Sequence, residues 1–229
     1  YTNCTAIENG WVWNIPSWER IGTGYVYSDK YVSDEEALNE LKRHLDKKGS
    51  DYSKSDFKNI KMRVGIHDRI FVNNVCAIGL SAGFIEPLES NGLLSVHEFL
   101  IRLIKVMKRG DDDTISQWDR DSFNKSCKDF FDEFTEFVSM HYALSHREDT
   151  RYWQEVTKKS FYDNRITNKN FGKNIDCRMG EDEWYRNDAG VHAITTGLRY
   201  FGVSKLKLSY TDNDLIKIGL REKEVNKWN

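Results

Sequence analysis

At 229 residues the chain is long enough for one large or two small domains, and 39% hydrophobic with 13% aromatic residues supply a real core. Its 34 Lys and Arg stand against 36 Asp and Glu, a net charge of −2, which excludes the basic face that polyanion coating demands; no nucleic-acid partner is expected. The longest apolar run, residues 75–85, carries Ser81 and is far shorter than the ~20 residues of a membrane span, so no membrane partner is expected either.

Residues 10–28 (GWVWNIPSWERIGTGYVYS) read as two strands, aromatic and β-branched, with a polar break at 16–20. Residues 33–36 (SDEE) form a capping-box pattern. Ala37, Leu38, Leu41 and Leu45 follow at helical spacing and Gly49 stands just past the end, which predicts a short amphipathic helix. Residues 61–67 and 70–79 are predicted to pair as strands, the second almost continuously apolar and so buried on both faces. Leu93, Val96, Phe99, Leu100, Leu103 and Met107 predict a helix ending near Arg109. Phe123, Cys127, Phe131, Phe134, Val138 and Tyr142 predict a long helix over 119–145. Beyond Trp153 the pattern weakens; residues 160–190 read as loop-rich and 204–229 as mixed short elements. The fold class is α/β (α+β), divided into residues 1–115 and a mainly helical part over 116–229.

Cys4, Cys76, Cys127 and Cys177 lie far apart with no CxxC pair, which reads as reduced thiols and neither a disulfide framework nor a zinc site; no metal is expected. No signal-peptide pattern is present, so a cytoplasmic location is expected, and the chain opens as if within a domain, its first part missing from a larger protein.

The stretch that carries chemistry is residues 77–94, AIGLSAGFIEPLESNGLL. An apolar strand runs into a glycine-rich turn (Gly79, Gly83), where a backbone without side chains lets a ligand approach closely. A helix follows, whose first amides and partial positive charge suit an anion. Glu89 stands at that positive end, where a carboxylate is stabilised and can act as a base; an ordinary N-cap explains the same residues without any ligand. Trp11 and Trp13 are equally at home as strand aromatics. His97 and His141 read as buried core histidines, since no HxxxH or HxH spacing occurs.

Two runs, GWVWNIP at 10–16 and GFIEPLES at 83–90, together resemble the flavin-dependent halogenases of the tryptophan-halogenase type. RIGTGYVYS at 20–28 and HYALSHREDTRYW at 141–153 add to a likeness that covers residues 9–153. The resemblance implies the C-terminal part of an FAD-dependent monooxygenase-like fold. It also implies halogenation of an electron-rich aromatic, indole-like substrate by hypohalous acid made from FADH2, O2 and halide (chloride or bromide), with a separate flavin reductase as partner. Carried onto this sequence, the family pattern makes Glu89 the base and arenium stabiliser with Ser90 beside it. The backbone amides of Asn91 and Gly92 become the halide contact, although Asn91 departs from the usual Thr or Ser. Gly79, Ala82 and Gly83 border the flavin, and Trp11, Trp13, Ile15 and Pro16 line the tunnel.

The family's GxGxxG turn and catalytic lysine belong to its N-terminal part and have no counterpart here. Gly22-Thr-Gly24 lacks a third glycine, and Leu80 replaces the aspartate that many flavin monooxygenases carry. The expectation is therefore a fragment that is inactive and free of FAD alone. An aromatic hydroxylase of the same fold and a non-catalytic truncated relative stay open as alternatives, as does a homodimer. Trp184 and Tyr185, an aromatic pair suited to stacking on an indole, receive no role.

Overall fold

In a computed structural model of the chain, residues 2–109 and 114–158 are described, together with positions 190, 193, 194 and 197–199. The expectations for residues 160–189 and 204–229, and with them Cys177, Trp184 and Tyr185, lie outside the described residues. Two compact units are distinguished, Tyr1–Lys173 and Asn174–Asn229; the elements below all belong to the first. The boundary expected at 115/116 falls inside it.

The chain starts with an antiparallel meander of β1 (Asn3–Ile7), β2 (Gly10–Pro16) and β3 (Ile21–Tyr27), in the order β1-β2-β3. The two predicted strands are β2 and β3. β1 was not predicted; it forms because the turn at Glu8 and Asn9 returns it onto β2, pairing Ile7 with Gly10. Trp13 explains a glycine across the sheet. A Cβ at Gly24, its partner on β3, would sit 2.3 Å from the Trp13 Cζ2, so the indole needs the bare backbone there. Gly22 and Gly24 are strand positions under an aromatic ring.

On the opposite face Val12 is fully buried against Leu41 and Leu45 of α1 (Asp34–Lys47). This helix forms as predicted, the Ser33 hydroxyl accepting from the Glu36 amide and the Glu36 carboxylate accepting from the Ser33 amide. Glu40, buried on the same helix, is satisfied by the Asn9 amide, the Asn9 side chain and the Tyr25 hydroxyl.

Residues 65–92 depart from prediction. The apolar run at 70–79 is not one buried strand pairing with 61–67. It folds on itself as a hairpin of β5 (Phe71–Val72) and β6 (Val75–Cys76), turned at Asn73 with φ +51°. The Asn73-Asn74 pair is a turn signal that outweighs the surrounding hydrophobicity, and Val72 and Val75 are exposed. β4 (Gly65–Ile66) instead pairs with β7 (Gly83–Phe84). A single-turn 3-10 segment, Gly79–Ser81, lies between β6 and β7.

The two long helices match expectation: α2 (Asn91–Met107) and α3 (Gln117–Ala143), the latter opened by a second capping box from Ser116 and Asp119. A short α4 (Arg151–Val156) follows, capped by the Thr150 hydroxyl. Ile70, Phe71, Ala82, Phe99, Phe123 and Cys127 form the core between the irregular segment and the helix pair. His97 corrects the prediction of a buried histidine, since it lies exposed on α2.

Candidate active site

Of the predicted site residues, Glu89, Ser90, Asn91 and Gly92 lie where the 83–90 turn enters α2, with Gly79 and Gly83 on the same cavity. Leu88–Ser90 is another single-turn 3-10 segment, and in it Glu89 and Ser90 both take left-handed backbone, φ +63° and +53°. Two successive non-glycine residues there store strain of order 1–3 kcal/mol each, which the surroundings must hold. They do so from both sides. The buried Asn91 side-chain amide donates to the carbonyls of Glu86 (2.7 Å) and Leu88 (3.0 Å), and the Ser90 amide donates to the Pro87 carbonyl at 3.0 Å.

The Glu89 carboxylate is not turned loose into solvent. Its Oε1 lies 3.0 Å from the Nε2 of His141 on α3; the Glu89 side chain is 40% exposed and the His141 side chain 16%. The other ring nitrogen, Nδ1, faces the carbonyls of Phe137 and Val138, both at 3.2 Å. Two carbonyls can only accept, so Nδ1 carries a proton. The sequence did not identify His141 as this partner; its place next to Tyr142 on an aromatic helix looks like core, and the contact spans 52 positions.

The neighbouring residue makes a parallel connection. The Tyr142 hydroxyl donates to Glu86 Oε2 at 2.6 Å and accepts from the Trp11 indole N–H at 3.0 Å. Burial pushes the Glu86 carboxyl up to about 7, against the lowering effect of the Tyr142 hydrogen bond. Burial and Glu86 together hold the Tyr142 hydroxyl well above its ordinary value. Trp11, at the start of the WxWxIP motif, is buried and tied by this chain to the EPLES turn. Trp13 covers Gly24, while Ile15 and Pro16 are exposed at the end of β2.

Gly79, Gly83, Asn91 and Gly92 share one cavity of about 330 Å³, floored by Phe130 and Phe134. Asn91 and Gly92 are the first two residues of α2, whose N-terminus receives no side-chain cap, and a side chain at Gly92 would meet open space. Gly79 has φ +67°, and a Cβ there would press on Val96 at 3.0 Å. A Cβ at Gly83 would meet the Gly65 carbonyl oxygen at 2.7 Å. Both glycines thus have reasons in the fold as well as a place on the cavity wall. Ala82 differs: it is fully buried in the core and is not part of that lining, so bordering a cofactor falls to Gly79 and Gly83. The bare backbone and aromatic floor suit the flat ring of a flavin. Leu80, largely exposed, offers no polar contact to its chain. Among the described residues there is no group of His, Cys, Asp and Glu placed to hold a metal ion, and no helix is long and apolar enough to cross a membrane.

The chain is 39% identical over 166 residues to a tryptophan 6-halogenase of Streptomyces toxytricini, covering 71% of this chain and 30% of that protein. It is 35% identical over 156 residues to a tryptophan 7-halogenase of Lentzea aerocolonigenes, covering 67% and 28%. The chain thus spans about three-tenths of the length of these relatives. The flavin-dependent halogenase BrvH of Brevundimonas sp. BAL3 superimposes with a TM-score of 0.73 at 28% identity, over 89% of this chain and 40% of that one. The tryptophan halogenase family profile matches residues 1–205. The chain belongs to the tryptophan halogenase family.

Proposed function

We propose that this chain carries the base and halide portion of a flavin-dependent halogenase acting on tryptophan or a related indole. The observation that carries the reading is the Glu89 turn itself. A carboxylate held in left-handed backbone and paired with His141 immediately precedes the uncapped start of α2, whose first residues line a glycine-walled cavity.

Gly79 and Gly83 with the Phe130–Phe134 floor would hold the ring of FAD. Bound in reduced form, FAD would supply the two electrons with which O2 becomes able to oxidise halide to hypohalous acid. The amides of Asn91 and Gly92, backed by the helix dipole, hold the halide, a role for which backbone donors at a helix start are suited and which the Asn91 side chain does not perturb. Electrophilic attack leaves a positive charge on the ring and a surplus proton on the halogenated carbon. Glu89 stabilises that charge and accepts that proton, with Ser90 beside it. His141 fixes the carboxylate's direction through the contact of its Nε2 with Oε1. Trp11 and Trp13 lie on the strand of the WxWxIP motif, and Trp11 is joined to the EPLES turn through the Tyr142 hydroxyl. The lysine of the family reaction, a flavin reductase and the remaining flavin contacts come from outside this chain.

The test is reconstitution with the part of the fold that the chain does not span, FAD, a flavin reductase, halide and tryptophan. The product should gain one halogen and lose one hydrogen. Glu89→Gln should slow product formation by roughly 10²–10⁴-fold while oxidation of reduced flavin continues. Loss of both together would count against a base role, and gain of one oxygen without halide would select the hydroxylase.

A further inference from the structure

We propose that the outward apolar face of α2 is a docking surface, and that its occupant is the portion of the tryptophan halogenase fold that this chain does not span.

A surface helix carries one apolar face and covers it. α2 carries two. Phe99, Leu103 and Val106 pack with Phe123 and Cys127 of α3. Leu93, Leu100, Ile104 and Met107 fall at i, i+7, i+11 and i+14, the spacing of a second face on the same helix, and are 41–81% exposed. His97, at i+4, is the polar residue within this stripe. The charged side chains of the helix lie off it. Arg102 pairs with Glu98, donates to the Ser126 hydroxyl at 2.9 Å and lies over the Phe130 ring, both on α3. Lys105 follows Ile104 by one position and so projects about 100° around the helix from it. Leu80, largely exposed, extends the surface, since it and Leu93 both line the glycine-walled cavity. Single exposed apolar side chains are ordinary, whereas a row of them marks an interaction surface.

The occupant follows from how much of the fold is present. The chain superimposes closely on BrvH yet covers 40% of it, so three-fifths of that fold has no counterpart here and meets this portion along some face. A helix apolar on two sides is the mark of burial between two bodies. The irregular segment and α3 are one of them, and the portion not spanned is the other. A second copy of this chain would cover apolar surface without supplying that portion. Because the stripe starts at the cavity wall, the docked body would stand beside Gly79 and Gly83. The inference rests on family membership and on this face, and is independent of the role given to Glu89.

The test compares the full chain alone with a single polypeptide in which it replaces the matching 166-residue region of the Streptomyces toxytricini tryptophan 6-halogenase. Leu100→Glu and Ile104→Glu should leave the melting temperature of the chain alone within about 2 °C. In the joined protein they should lower it by roughly 5 °C or more, because a charge is forced into a closed apolar contact. Trp18→Glu, at a fully exposed position between β2 and β3, should do neither. An unchanged joined protein overturns the proposal. An equal drop in the chain alone also does so, since its own residues would then already cover the stripe. Sedimentation of the chain alone addresses the second copy: a dimer that Ile104→Glu dissociates overturns the proposal. Should the joined polypeptide not fold, the tagged remainder of that halogenase is co-expressed with this chain. It should retain the unsubstituted chain and Trp18→Glu alike, and roughly tenfold less of Ile104→Glu; no retention, or equal retention of all three, overturns the proposal.

Discussion

Between residues 3 and 47 backbone groups find partners close by in sequence: β1 pairs with β2, β2 with β3, and α1 closes its own N-terminus with Ser33 and Glu36. Between residues 65 and 92 the strands are two residues long and the turns use left-handed backbone at Asn73, Gly79, Glu89 and Ser90. Besides Asn91, side chains of α3 some fifty positions away hold this segment. Asn124 shows how. One side-chain oxygen accepts from the amides of both Ile70 and Phe71 at 2.8 Å, while its nitrogen donates to the Phe71 carbonyl at 3.0 Å, all buried. His141 and Tyr142 repeat the pattern within the last turn of the helix, on Glu89 and Glu86. The first region builds its strands and helix from local pairings, although Tyr142, Thr150 and Trp153 also bond to it. The second is an irregular segment whose shape is held by a neighbouring helix, a setting in which strained backbone can be maintained.

Three substitutions probe that contrast. Asn124→Ala strips two buried amides and a carbonyl of their partners at once, so it should cost roughly 4 kcal/mol. Chemical denaturation would register this, and a loss below 1 kcal/mol would mean that the irregular segment supports itself. Glu86→Gln should act in the opposite direction. The folded state raises this carboxyl from its ordinary value of 4.5 to about 7. Between those values the native protein binds more protons than the unfolded chain, so stability falls as pH rises through this window. The penalty reaches roughly 3 kcal/mol above pH 7 and is absent below pH 4.5. The amide, which does not ionise, should therefore raise the melting temperature at pH 8 and leave it nearly unchanged at pH 4.5; an equal effect at both would deny the burial its role. Ser33→Ala, by contrast, removes a single local cap and should cost about 1 kcal/mol, visible in thermal melts without any change in the Glu89 turn.

The sequence made the first region readable because its signals are local: a capping box, aromatic strands, helical stripes at Leu41 and Leu45. It also singled out Glu89, Asn91 and Gly92, through a motif that is contiguous. What stayed hidden depends on distance along the chain. Nothing about an Asn in the middle of an amphipathic helix says that it will serve the backbone of Ile70 and Phe71. Nor does His141 announce that it faces a carboxylate 52 positions earlier. The hairpin at 71–76 was missed for a different reason, since apolar content outweighed the Asn73-Asn74 turn signal in the reading although it does not in the fold.

The left-handed geometry at Glu89 leaves a mark on how this protein can change. Glycine would sit there more comfortably than glutamate, and a chain drifting under selection for robustness alone would be drawn toward that exchange. An acid kept at such a place is an inheritance with a running thermodynamic cost. If Glu89 serves as the proposed base, its backbone angles record the conflict between durability and chemistry.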